Sequence, residues 1–158
     1  MNLENIDLVK ISNSTYKIYQ LIDSQRQKLK LDFEEISSPF GLEKFINAYY
    51  INWEIDNQSL EILKKLENEF KDLILQSNKD KYNCWIWITN IKEKKNFKPL
   101  LKTRILQKKQ KFLVNTNSSL FDIDYKSKLK ISINLDSIWF LEKNKTFGLL
   151  WTLESLDL

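Results

Sequence analysis

Histidine is absent from the 158 residues. That removes the commonest general base, the commonest metal ligand and the usual pH switch. Ser-His-Asp, Cys-His and histidine-metal chemistries are therefore excluded within this chain. A single cysteine, Cys84, forms neither an internal disulfide nor a multi-cysteine zinc site, and is compatible with a reducing compartment. The only two glycines, Gly41 and Gly148, lie far apart. No G-x-G-x-x-G or Walker loop can be written, so no dinucleotide or P-loop site is expected. The longest uncharged runs, Tyr82–Ile91 and Phe112–Phe121, reach about half of a membrane span. The start of the chain carries Glu4 and Asp7 and lacks a basic-then-apolar pattern, so no secretory signal is expected. From these subtractions we expect no cofactor, no metal site and no membrane span, and a cytoplasmic location or an organelle stroma or matrix.

What remains is an ordinary globular composition: 42% hydrophobic and 29% charged residues, with 20 aromatics among them. At this length one domain, residues 1–158, is the default, with enough chain to bury a sizeable core. Lysine outnumbers arginine 23 to 2, isoleucine and asparagine are abundant, and Ala48 is the sole alanine. This is the residue usage of AT-rich codons, so part of the lysine surplus reflects codon bias.

The net charge of +4 conceals a split. Residues 1–80 hold 10 basic and 14 acidic side chains; residues 81–158 hold 15 and 7. Such asymmetry points to association with a partner.

The first half reads as helical. Asn13, Ser14 and Thr15 offer caps for a helix over about 15–36, with Tyr19, Ile22, Leu29, Phe33 and Ile36 at helical spacing. Pro39 ends it. Leu42, Phe45, Ile46, Tyr49 and Trp53 share one face of a second helix from about Gly41. Asp56 or Asn57 caps a third, whose stripe is Leu60, Leu63, Leu66, Phe70 and Leu73. The second half reads as strands: 83–91, 100–106, 111–114, 120–125, then Leu129–Leu135 in strict alternation with polar residues, 138–141 and 146–153. Residues 142–145 form a hairpin-sized connection. The expected fold is α+β: about three N-terminal amphipathic helices packed on a C-terminal antiparallel sheet of five to six strands, a helical half of about 1–80 and a β half of about 81–158.

Three constellations stand out. The densest is a basic belt of Lys92, Lys94, Lys95, Lys98, Lys102, Arg104, Lys108, Lys109 and Lys111, which directly follows Trp85 and Trp87. Ammonium groups near a phosphate backbone release counterions, and exposed indoles stack on bases, so this set suits a single strand of RNA or DNA. The bland alternative makes the tryptophans core and the lysines solvated loop charges that also protect edge strands. The second is Asp122, Asp124 and Lys126, placed by strand alternation on one face, where two carboxylates and a lysine would hold Mg²⁺ and orient a water as in a metal-dependent hydrolase or nuclease. An exposed salt bridge is the bland alternative. The third is aromatic: Trp85, Trp87, Trp139 and Trp151 on a sheet face left open by helices on the other side, a set of interface anchors. Cys84, without histidine, is expected to be a small buried apolar residue.

No usual catalytic set is complete. The leading expectation is therefore a non-enzymatic accessory, assembly or adaptor protein, docking onto a larger complex, a protein partner foremost, through charged and aromatic surfaces. The alternative is single-stranded nucleic-acid binding through the basic aromatic sheet.

Overall fold

A computed structural model describes residues 7–12, 16–22, 26–77 and 79–157. Chain order runs β1 (Asp7–Ser12), β2 (Tyr16–Ile22), β3 (Leu29–Ile36), β4 (Leu42–Phe45), β5 (Ala48–Glu54), α1 (Asn57–Ser77) and α2 (Lys79–Tyr82). It continues with β6 (Ile86–Ile88), β7 (Ile91–Lys92), β8 (Leu100–Ile105), β9 (Gln107–Lys108), β10 (Lys111–Phe112), β11 (Asn115–Thr116), β12 (Leu129–Leu141) and β13 (Thr146–Asp157). Two compact units result, each assembled from separate stretches of chain, with β12 and β13 contributing residues to both.

The first unit comprises residues 1–29, 57–90 and 136–150. Its strand order is β1-β2-β12-β13-β6, in which β2 runs antiparallel to β12 but β6 parallel to β13. The 21-residue α1 buries Leu60, Leu63, Phe70 and Ile74, an i, i+3, i+10, i+14 stripe on one helical face. An aromatic stack fills the interior: Tyr82, Phe140 and Phe147 lie face to face at centroid distances of 4.6 to 6.1 Å.

The second unit comprises residues 30–56, 91–135 and 151–158. Its order is β3-β12-β13-β8-β5-β4, with β7 on β8 and the parallel β11 on β13. Alternation dictates its core. Ile51, Trp53, Leu101, Ile105, Leu129, Ile131 and Ile133 are all nearly inaccessible, while their strand neighbours, Ser132 apart, are more exposed. The one buried indole N–H with a polar partner here is that of Trp53, which donates to Thr103 Oγ1 at 2.9 Å. The wet side of β3 and β12 is a polar ladder: Lys130 pairs with Glu34 at 3.6 Å, and Ser132 donates to Asp32.

These observations correct the expected α+β fold. Among the described residues there is one long helix, not three, and the pairing is mixed, not antiparallel. The third expected helix is α1. The first is replaced by β2 and β3, where Leu29, Leu31 and Phe33 alternate with exposed Lys30, Asp32 and Glu34. Its expected caps, Asn13, Ser14 and Thr15, lie outside the described residues. The second is replaced by the β4–β5 hairpin. Its apparent helical stripe draws Leu42 and Phe45 from one strand, Tyr49 and Trp53 from the other, and Ile46 from the turn between them. In the second half, residues 120–125 are not a strand: Leu120–Asp122 is a single 3-10 turn whose entry Ser119 caps by accepting from Phe121 N.

Both glycines sit where backbone meets backbone. A Cβ at Gly41, which has φ +64°, would lie 2.5 Å from the Ile123 carbonyl oxygen; one at Gly148 would lie 2.6 Å from that of Ile88. Elsewhere, turns needing positive φ use other residues: Arg26, Ile46, Asn96, Lys109, Gln110 and Lys145.

Candidate nucleic-acid interface

Two hairpins of the second unit build the site. In the first, β4 and β5 pair Lys44 with Tyr49 and Phe45 with Ala48, closing through Ile46 and Asn47. Ile46 takes φ +57°, an outlier for a β-branched residue, and is 75% exposed. In the second, β9 and β10 pair Gln107 with Phe112 and Lys108 with Lys111. Its two-residue loop, Lys109-Gln110, has φ of +51° and +65°. That is the arrangement of a type I′ turn, which ordinarily calls for Asn-Gly.

A cleft of about 430 Å³ is lined by Lys44, Asn47 and Tyr49 of the first hairpin, Gln107, Gln110 and Phe112 of the second, and Phe121. Its aromatic side is ordered by contact. Tyr49 meets Phe112 edge-on at 5.0 Å, and Phe112 meets Phe121 at 5.8 Å. Phe121 nonetheless remains 69% exposed, so its ring is open to a visitor. Lys44 Nζ lies 5.4 Å from the Tyr49 ring centroid. The Lys108–Lys111 pair places two ammonium groups directly across a ladder, which is destabilising without an anion. No carboxylate among the described residues pairs with Lys108, Lys109 or Lys111.

The basic belt belongs wholly to this unit. Lys92, Lys94, Lys95, Lys98, Lys102, Lys108, Lys109 and Lys111 are exposed, and Arg104 is half-buried. They occupy different settings. Lys102 rests over the Tyr50 ring at 4.2 Å. Lys94, Lys95 and Lys98 lie in the β7–β8 loop, whose Phe97 is 74% exposed. Lys108, Lys109 and Lys111 edge the cleft's second hairpin.

Trp85 and Trp87 do not join the belt in one unit. Both belong to the first unit and turn inward. Trp85 packs edge-on against Tyr82 at 4.9 Å, and Trp87 against Phe147 at 5.1 Å. Both are half-buried, and the opposite face of β6 presents Ile86 and Ile88 to solvent. Trp151 is buried and Trp139 half-buried, so the expected open tryptophan face is not formed. The aromatics that are open, Phe40, Phe45, Phe97, Phe121 and Tyr125, are residues that composition alone did not single out. Interleaving was the available signal: Phe97 lies inside the lysine run and Phe112 ends it.

The expected Asp122, Asp124 and Lys126 face does not exist, because its strand is absent. Asp122 ends the 3-10 turn. Asp124 Oδ1 accepts from Lys126 N at 2.8 Å, Ser127 N at 3.0 Å and Ser127 Oγ at 3.2 Å, so it is consumed in an Asx turn. No group of three or more acidic or cysteine side chains capable of holding a metal occurs among the described residues. Cys84 is exposed, contrary to the expected burial.

One further polar group is buried in the first unit. Glu67, on α1, is 5% exposed and accepts from Thr89 Oγ1 at 2.6 Å, from Asn90 N at 3.1 Å and from Trp87. Burial pushes its carboxyl above the ordinary value, and those hydrogen bonds only partly offset this. Asn90 in turn donates from Nδ2 to the Leu149 carbonyl at 2.7 Å. The carboxylate is thus a buckle joining α1 to the segment after β6.

No helix of the described residues is long and apolar enough to cross a membrane. Comparison with protein-family models and with curated protein sequences finds no match.

Proposed function

We propose that this protein is a non-enzymatic nucleic-acid-binding protein that holds single-stranded RNA or DNA on the hairpins of its second unit. The observation that carries the reading is the open ring of Phe121, backed by Phe112 and Tyr49, beside lysines that have no carboxylate partners among the described residues. Stacking on aromatic rings and neutralisation of phosphates are the two terms single-strand binding uses. The same surface suits a protein partner less well, because interface cores are depleted in lysine. Phe97 among Lys94, Lys95 and Lys98 repeats the combination at a second loop. A location where such strands occur, the cytoplasm or an organelle stroma or matrix, goes with this reading.

The adaptor reading retains one separate observation. Ile86 and Ile88 stand exposed on the outer face of the three-residue β6, at 62% and 43%. A protein surface docking there would leave the lysines uninvolved, so its affinity would be insensitive to their replacement.

The test is fluorescence anisotropy with a labelled oligomer of about 12 nucleotides, within the span of known single-strand sites. If Lys44, Lys108, Lys109 and Lys111 each neutralise one phosphate, log K falls with log salt at a slope of about −3. Replacing Lys108, Lys109 and Lys111 by Gln flattens that slope to about −1. Absence of binding at low salt, or binding indifferent to salt, refutes the proposal.

A further inference from the structure

The cleft holds more than stacking and charge. Three of its lining residues, Asn47, Gln107 and Gln110, carry carboxamides. Each presents a hydrogen-bond donor beside an acceptor. A non-selective phosphate-binding groove has no use for three such groups against aromatic rings, since stacking and ammonium charge already suffice. They are the side chains that read base edges, and asparagine or glutamine matches the N6–H and N7 of adenine. Guanine, with acceptors at both O6 and N7, instead calls for two donors.

Backbone strain is concentrated at the same place. Ile46 precedes Asn47 at φ +57°, and Lys109 and Gln110 stand at φ +51° and +65°. Non-glycine residues are held in that region at a cost, and the two hairpins that bear it are the two walls of the cleft. Gln110 is itself one of the strained residues, and Asn47 sits in the two-residue turn beside Ile46.

We propose that this cleft is a single-nucleotide pocket that takes one unstacked adenine of the bound strand. The base stacks on Phe121 beside Phe112 and Tyr49, the carboxamides of Gln107 and Gln110 hydrogen-bond its edge, and the adjoining phosphates lie against Lys44 and the hairpin lysines. The inference rests on the single-strand reading above and adds base selection to it.

The experiment uses the full chain and four oligomers of about 12 nucleotides: oligothymidylate, and the same oligomer with one central adenine, guanine or cytosine. One adenine tightens binding about 5- to 10-fold over thymine, the low end for a bidentate pair at a wet site, and guanine and cytosine do so less. The double variant Gln107→Ala, Gln110→Ala loses this increment, so that its affinities for the adenine oligomer and for oligothymidylate agree within about 2-fold. Phe121→Ala weakens all four by about 5- to 100-fold. These side chains are exposed or line an open cleft, and unchanged circular dichroism and melting midpoints verify that each variant folds. Equal affinity for all four oligomers, preference for another base, or preference surviving in the double variant overturns the pocket and leaves the single-strand reading standing. Absence of binding to any oligomer at low salt overturns both.

Discussion

Glu67 supplies a sharp test of how the first unit is held together, because the chain has no histidine to obscure it. In the unfolded chain this carboxyl titrates near 4.5; in the folded chain burial raises it. Below pH 4.5 both states keep the proton, and the buried group contributes its full stability as a neutral acid. Between 4.5 and the raised folded value, the folded chain holds a proton that the unfolded chain has released. Stability from this group then falls with rising pH, by up to about 1.4 kcal/mol per pH unit, and levels off above the folded value. Glu67→Gln keeps the side-chain volume and an acceptor for Asn90 N, and removes the titration. The variant should therefore gain on the wild type as pH rises through that window, while every other titrating group cancels in the difference. Glu67→Ala is a different perturbation. It strips the acceptor from Asn90 N and the Trp87 indole, leaving half-buried donors unpaired at a cost of about 3 kcal/mol in all. For a chain of this size that lowers the melting midpoint by roughly 6–12 °C. Urea unfolding at half-unit pH steps from 4 to 8, followed by tryptophan emission, measures both effects, since Trp87 touches the carboxylate. A Gln-minus-wild-type difference that is flat with pH, or that falls, refutes the reasoning.

Two further outcomes follow from backbone geometry. Gly41→Ala should destabilise by at least about 2 kcal/mol, because the new methyl combines a left-handed backbone with a 2.5 Å approach to the Ile123 carbonyl oxygen; denaturant melts verify it, and a neutral result would contradict that packing. Replacing Lys109-Gln110 by Asn-Gly should stabilise the protein by about 1 kcal/mol by relieving the type I′ turn, yet weaken oligonucleotide binding by removing one charge and one reading group. Melting and anisotropy on the same sample decide it, and unchanged affinity would detach the turn from function.

The fold was only partly legible, and the glycine shortage explains much of the loss. Hairpins are ordinarily announced by Asn-Gly or Asp-Gly, and here the tight turns are made by Ile46-Asn47 and Lys109-Gln110. With that punctuation missing, β4 and β5 ran together, and their apolar residues happened to satisfy a 3.6-residue period. Through β5 and just past its end, the alternation of Ile51, Trp53 and Ile55 with Asn52 and Glu54 was present in the sequence and was the truer signal. The helix α1 was legible because its stripe is long and no alternating pattern competes with it. The strict alternation of Leu129–Leu135 was legible for the converse reason. The parallel pairings of β6 and β11 with β13 were not, since a two- or three-residue strand leaves no periodicity to read.

The charge split shows how linear arithmetic and the folded units divide the same charges differently. Cut at residue 80, the chain looks acidic then basic. Cut by its compact units, it carries 11 basic and 10 acidic side chains in the first and 14 and 11 in the second. The acidic residues of β3, β4 and β5 fold into the same unit as the lysine belt, where Glu34 pairs with Lys130, a lysine outside the belt. Net charge therefore does not identify a binding surface here. Lys108, Lys109 and Lys111, which have no carboxylate partner among the described residues, stand on a hairpin whose opposed Lys108 and Lys111 repel each other and whose turn residues are strained. Those features are costly to an isolated protein. An anion brought against them relieves the repulsion, and that places the weight of the functional reading on the β9–β10 hairpin and not on the tryptophans of the other unit.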